Sequence, residues 1–232
     1  MTIRTVAETG STNADMLLLA RQGAEEGLWL RAERQTAGRG RQGRAWTSPV
    51  GNLYASTLVR LRPSDPPAAT LALVAAVALH EAIGVFGVAA RIKWPNDLLV
   101  AGAKLSGILL ERSEEAVVVG IGVNLADHPS LPDRPTTSLA AEGAAIGPDT
   151  LLDVLAEAFV RWLARWRGEG IGAIRAAWLA AAHPVGTALT ARLPDGSADD
   201  GLFEGLDADG ALILRLAGGE RRVIHAADVF LL

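Results

Sequence analysis

The chain changes rhythm at His183-Pro184, and no other feature constrains its fold as tightly. Beyond that point, residues 187–193, 202–206, 211–216, 221–225 and 229–232 are short runs of strand-forming residues. They are split by Pro194-Asp195-Gly196, Asp207-Ala208-Asp209-Gly210 and Gly218-Gly219, all rich in residues that suit tight turns. Strands this short and this closely joined predict a small antiparallel barrel. Before the break, longer elements alternate between strand and helix, which predicts a mixed β-sheet packed with helices. The chain therefore reads as α+β, with one unit at 1–182 and a second at 183–232.

In the first unit, Ser11-Thr12-Asn13 precede an apolar segment at 14–22 with Gly23 after it: a helix capped by small polar residues and stopped by glycine. Residues 28–33 and 53–60 read as strands. Residues 68–86 predict a mostly buried helix, 91–94 a short strand stopped by Pro95, and 97–100 a strand ending in a turn at Ala101-Gly102. Residues 104–112 and 116–123 form a hairpin with Ser113-Glu114-Glu115 at its tip. A loop at 125–147 precedes helices at 151–166 and 171–181, where apolar residues recur at helical spacing. Half of the 232 residues are apolar, enough for a sizeable core. No cysteine is present, which excludes disulfides, thiolate metal sites and cysteine nucleophiles. The first residues lack the apolar run of a signal peptide, and no apolar stretch is long enough to span a bilayer; a soluble cytoplasmic protein is expected.

Chemistry concentrates in two stretches. Between the strands at 28–33 and 53–60 lies Gln35-Thr36-Ala37-Gly38-Arg39-Gly40-Arg41-Gln42-Gly43-Arg44-Ala45-Trp46. Its glycines let backbone approach a ligand closely, and its arginines can converge on phosphate oxygens. With little apolar side chain apart from Trp46, the loop is expected to take its order from what it binds. Gly38 to Gly43 matches the dinucleotide fingerprint GxGxxG, but that motif needs a helix directly after it, and Trp46-Thr47-Ser48-Pro49 cannot start one cleanly. An anion clamp is the better reading. The second stretch holds the only two lysines among 22 cationic residues, Lys93 and Lys104. In Lys93-Trp94-Pro95-Asn96-Asp97-Leu98, Pro95 makes a rigid corner from which Asn96 and Asp97 project. Lys104 opens the following strand.

Taken together, Gly10-Ser11-Thr12-Asn13, Gln35 to Arg44, Lys93 to Leu98, Lys104-Leu105-Ser106-Gly107-Ile108 and Gly120-Ile121-Gly122-Val123-Asn124-Leu125 resemble biotin protein ligases in order and spacing. The resemblance implies the class II synthetase-like catalytic domain of biotin and lipoate ligases, followed by a small C-terminal SH3-like β-barrel. It implies biotin contacts from Ser11, Thr12, Asn13, Gln35, Arg39, Gly40, Arg41, Lys104 and Gly107. It implies nucleotide contacts from Arg41, Arg44, Trp46, Asn96, Asp97 and Asn124, and catalytic roles for Lys104, Arg39 and Asp97. The substrates are biotin and ATP with Mg²⁺, and no protein metal site is expected. The partner implied is a biotin carboxyl carrier domain; no specific DNA binding is expected from a chain beginning at the catalytic domain, and a homodimer is compatible. Family members that place an arginine near the C-terminus differ from this chain, which ends Asp228-Val229-Phe230-Leu231-Leu232.

Two rival readings remain at this level. A lipoate or octanoate ligase or transferase would share the architecture, although the octanoyl chemistry of that group uses a cysteine. A single-stranded nucleic-acid binder would use the arginine loop, against a net charge of −4. His80, His128, His183 and His225 have no metal-ligand spacing, and Trp162, Trp166 and Trp178 read as core.

Overall fold

A computed structural model describes residues 2–132 and 134–232. Its first part contains β1 (Thr2–Thr9), α1 (Thr12–Arg21), β2 (Leu28–Gln35), β3 (Leu53–Arg60), α2 (Leu71–Gly84), β4 (Arg91–Lys93), β5 (Asp97–Val100), β6 (Ala103–Ser113), β7 (Ala116–Val123), α3 (Pro148–Glu169) and α4 (Ile171–Ala181). The strands form one mixed sheet in the order β1-β2-β3-β7-β6-β5-β4, in which only β1 and β2 run parallel. The sequence reading missed β1. Its residues are mostly polar and largely exposed, so pairing with β2 defines it rather than an apolar pattern.

Strand alternation splits the sheet into two unlike faces. On one, Trp29, Ala55, Val59, Val117, Val119 and Ile121 join α2, α3 and α4 in the main core. The apolar segment expected to be a buried helix is α2, preceded by a 3₁₀ turn at Ala68–Thr70. Being apolar nearly all round, it is buried between α3, α4 and the sheet. Trp29 meets Phe159 of α3 edge-on, with ring centroids 5.7 Å apart at 84°. On the other face, Met16 and Ala20 of α1 cover Leu28, Leu30, Leu58, Ala116 and Val118. One ten-residue helix covers only part of that face.

The second part contains β8 (Ala188–Arg192), β9 (Ala198–Leu206), β10 (Leu212–Leu216), β11 (Arg221–Ile224) and β12 (Asp228–Leu231). They form an all-antiparallel sheet in the order β11-β10-β9-β8-β12. Its apolar side packs against α4, where Trp178 meets Phe203 at 6.3 Å. Trp94 adds a polar tie, its indole N–H donating to the Gly210 carbonyl at 3.1 Å. Among the described residues no helix is long and apolar enough to cross a membrane.

Phe159 is almost wholly buried and packs on Trp29. Phe159→Ala should therefore destabilise the protein by about 3–5 kcal/mol through lost transfer energy and a residual cavity. Urea unfolding of the two proteins measures the difference.

Candidate functional site

Beyond the start of α1, the α1 face of the sheet turns from apolar to small and polar. One cross-strand row runs Ala32, Tyr54, Gly122, Gly107, Asp97 and Lys93 across six strands. The next row toward α1 contains Leu30, Ser56, Gly120 and Leu109. Gly107 and Gly122 face each other across β6 and β7 and make a flat floor. The Trp46 indole lies on that floor: a Cβ built at Gly122 would stand 2.7 Å from the ring, and one at Gly107 3.2 Å. A Cβ at Gly120 would fall 2.1 Å from the Asn13 amide oxygen. Glycines in a strand interior weaken it unless something must approach closely, and here a side chain does so at each.

The glycine–arginine loop leaves β2 and folds over this floor. It contains a 3₁₀ turn at Arg41–Gly43 and no α-helix, so the dinucleotide fingerprint is not realised. Gly40 N–H donates to the Arg44 carbonyl, Trp46 N–H to Gly38, and Ala37 N–H to Gly10. Arg41 donates to the Ala227 carbonyl at 3.3 Å and to Asn96 Oδ1 at 3.4 Å, and Arg44 pairs with Asp228. The loop, expected to take its order from what it binds, has contacts within the protein as well. Trp46 ties it to the first sheet at Gly107 and Gly122, and Arg41 and Arg44 to Ala227 and Asp228, more than a hundred residues away in sequence.

Opposite the loop, Asp97 is buried between the two lysines, with Lys104 Nζ at 2.7 Å and Lys93 Nζ at 3.3 Å. Burial alone would raise its carboxyl, but Lys104 and Lys93 outweigh that and hold it below the usual carboxylate range. Burial pulls the Lys93 ammonium below its ordinary value, against the pull of Asp97. Lys93 also donates to the Val229 carbonyl at 2.8 Å. Burial likewise lowers Arg41, with Asp228 opposing it. Burial pushes the Tyr54 hydroxyl up to about 12, and it donates to the Pro49 carbonyl at 2.8 Å.

A third group lies at the start of α1. Ser11 occupies the N-cap position without a side-chain cap, so the capping role expected of these residues is not what they do. Thr12 and Asn13 belong to the helix and are buried, turned toward Gln35, Ser56 and Glu111. The pocket is lined by Ser11, Thr12, Asn13, Gln35, Arg39, Gly40, Arg41, Arg44, Trp46, Asn96, Asp97, Lys104, Gly107 and Asn124, so every residue singled out in the sequence faces one cavity. The cavity encloses about 220 Å³. Asn124 also donates to the Thr137 carbonyl, and Asn96 to that of Ile108. Lys93, marked in the sequence as one of only two lysines, lines the cavity as well, whereas sequence reasoning missed Tyr54, Leu131, Thr136, Asp228 and Val229. Asp228 arrives from the second sheet, and nothing in its local sequence marks it.

This architecture and pocket place the chain in a known class. The structure is similar to a biotin protein ligase from Aquifex aeolicus in complex with biotin and ATP, with TM-score 0.87 at 24% identity over 100% of this chain and 99% of that one. It also resembles the Leishmania major biotin protein ligase in complex with biotinyl-5-AMP, with TM-score 0.68 at 25% identity over 97% of this chain and 99% of that one. Residues 7–125 match the biotin/lipoate A/B protein ligase family and residues 186–232 the biotin protein ligase C-terminal domain. In sequence the chain is 49% identical to the biotin–[acetyl-CoA-carboxylase] ligase of Paracoccus denitrificans, over 97% of this chain and 98% of that protein. It is 36% identical to the Mycobacterium tuberculosis ligase of the same name, over 97% of this chain and 86% of that one. The chain belongs to the biotin/lipoate A/B protein ligase family.

Asp97 gives the site a pH signature. Its folded carboxyl titrates below the ordinary 3.8, so its contribution is complete above that value and is lost as pH falls through the folded pKa. Asp97→Asn strands two buried ammonium groups and should lower stability by about 3–5 kcal/mol at neutral pH. It should also flatten the acid limb of the stability profile below about pH 4. Urea midpoints for both proteins across that range provide the check; parallel profiles would contradict the ion-pair assignment.

Proposed function

We propose that the protein joins biotin to a lysine of a biotin carboxyl carrier domain, using ATP and passing through biotinyl-5′-AMP. The observation that carries this reading is the convergence of Arg39, Arg41, Arg44, Lys93 and Lys104 on one pocket whose other end is a row of amide and hydroxyl groups. With Arg134 the described lining has six cations, set against two carboxylates, Asp97 and Asp228. Such a cavity suits an anionic nucleotide at one end and a small polar ring at the other.

In the first step a biotin carboxylate oxygen attacks the α-phosphorus of ATP, and pyrophosphate leaves. The nucleophile is already ionised, so no base is needed; the difficulty is bringing two anions together. Fixed cations meet it, and removing one such contact lowers the rate about 10²- to 10³-fold. Lys104 is set for this by Asp97 at 2.7 Å and by the Trp46 ring, whose centroid lies 5.5 Å from its Nζ. In the second step the amine of the acceptor lysine attacks the biotinyl carbonyl and AMP leaves. Asp97 is a poor base, since both lysines hold its carboxylate in the charged form. We assign it the positioning of Lys93 and Lys104 and not the removal of a proton.

Among the described residues no group of three His, Asp or Glu side chains could hold a metal. Mg²⁺ enters the reading as part of the substrate, carried on the triphosphate. We take residues 1–182 as the unit that binds biotin and ATP. Residues 183–232 supply Ala227, Asp228 and Val229 to its rim.

Biotin-dependent exchange of labelled pyrophosphate into ATP tests the reading; a purified protein without it is not such a ligase. Arg39 is exposed at the rim, whereas Arg41 bridges the loop to Asn96 and Ala227. Arg41→Ala should therefore open the loop and release biotinyl-AMP, with bystander lysines modified more than in Arg39→Ala. Mass spectrometry of a lysine-rich bystander protein compares the two variants.

A further inference from the structure

Behind the pocket lies a chain of hydrogen bonds whose members do not all face the cavity. Asn13 Nδ2 donates to Glu111 Oε2 at 2.8 Å and to the Leu109 carbonyl at 3.4 Å. Ser56 Oγ lies 2.6 Å from Asn13 Oδ1 and 2.7 Å from Thr12 Oγ1. Thr12 N–H donates to Gln35 Oε1 at 2.8 Å. Gln35 Nε2 donates to Ser48 Oγ at 3.1 Å, and Ser48 Oγ to the Trp46 carbonyl at 2.9 Å. Neither Ser56 nor Glu111 lines the cavity, while Thr12, Asn13 and Gln35 do.

The proton count fixes what each end of the chain can offer the cavity. A carboxylate and a carbonyl only accept, so Glu111 and Leu109 take both N–H groups of Asn13 and turn its oxygen toward Ser56. That oxygen also only accepts, so it takes the single hydroxyl proton of Ser56. Thr12 Oγ1 has two acceptors within reach, Ser56 Oγ at 2.7 Å and Gln35 Oε1 at 3.2 Å, and its single proton goes to one of them. With its proton spent, Thr12 Oγ1 can offer the cavity lone pairs alone. Gln35 is fixed from both ends. Its oxygen faces a backbone N–H that cannot invert, and its nitrogen faces a serine whose proton is committed to Trp46. One Gln35 N–H remains for the cavity. The pocket thus presents an acceptor beside a donor.

We infer that Glu111 and Ser56 are positioning residues that set this donor–acceptor polarity, and so select a ring carrying N–H beside C=O. The inference rests on the ligase reading and deepens it: a cyclic urea has both groups, whereas a lipoyl dithiolane has neither. Glu111 acts through Asn13 and Ser56 without touching substrate. The glycine at 120 is part of the same device, because any Cβ there would displace the Asn13 amide.

The test is pyrophosphate exchange with biotin and with 2-iminobiotin, which replaces the ring C=O by a C=NH group. Glu111→Leu removes the terminal acceptor at similar volume and should raise the biotin KM roughly 10- to 100-fold. The KM for ATP and the thermal midpoint should change little. The preference for biotin over 2-iminobiotin should shrink, and Glu111→Gln, whose amide oxygen still accepts, should recover most of the loss. Ser56→Ala breaks the same relay from the other side and should shift the two ligands likewise. An unchanged biotin KM and ligand preference in both Glu111→Leu and Ser56→Ala would overturn the relay while leaving the ligase reading intact. Absence of biotin-dependent exchange in the wild type would overturn both.

Discussion

The site depends on one packing constraint: α1 is too short to cover its face of the sheet. Beneath Met16 and Ala20 the strands carry leucine and valine, as a buried face must. One or two pleats further, the same strands carry Ser56, Tyr54, Gly120, Gly122 and Gly107. Those residues would be poor choices for a core. They make a floor that a tryptophan and an asparagine can approach within van der Waals contact. The opposite face, covered by α2 and α3, keeps its apolar residues along β3 and β7. The cavity is the uncovered end of an otherwise ordinary sheet.

Charge is organised around that floor in the same economical way. Asp97 stands at the end of the glycine row and holds two lysines from different strands. The second sheet supplies the counterpart, with Ala227, Asp228 and Val229 each accepting from a cation of the first part. Burying cations without partners is costly, and these three contacts hold Arg41, Arg44 and Lys93 in place while leaving the pocket positive. The small C-terminal sheet is therefore part of the site's electrostatics, although its Phe203 packs against Trp178 of α4.

Much of the fold was legible because its elements are locally consistent. β3 and α4 fall on the expected residues, since each has clean periodicity and a clear stop. β1 escaped because an exposed edge strand needs no apolar pattern. β9 begins at Ala198, several residues before the apolar run that announced it, because pairing with β8 extends it through polar residues. In the site, Arg41, Lys104 and Asn96 stood out through glycine and proline context. Ser56 and Glu111 did not: a serine in a strand and a glutamate near a hairpin tip look unremarkable until the cross-strand register brings both to Asn13.

The sequence by itself determined which residue types were present and in what local conformation: a flexible arginine-bearing loop, a rigid Asn-Asp corner, a helix opening with three small polar residues, and a change of rhythm at His183. Local sterics and hydrogen bonding decide these matters within a few residues. Tertiary structure alone decided the direction of each hydrogen bond around Asn13 and Gln35, the pairing of Asp97 with two lysines, and the reach of Asp228 to Arg44. Polarity and charge state are fixed by partners distant in sequence, and only folding brings those partners within 3–4 Å of one another.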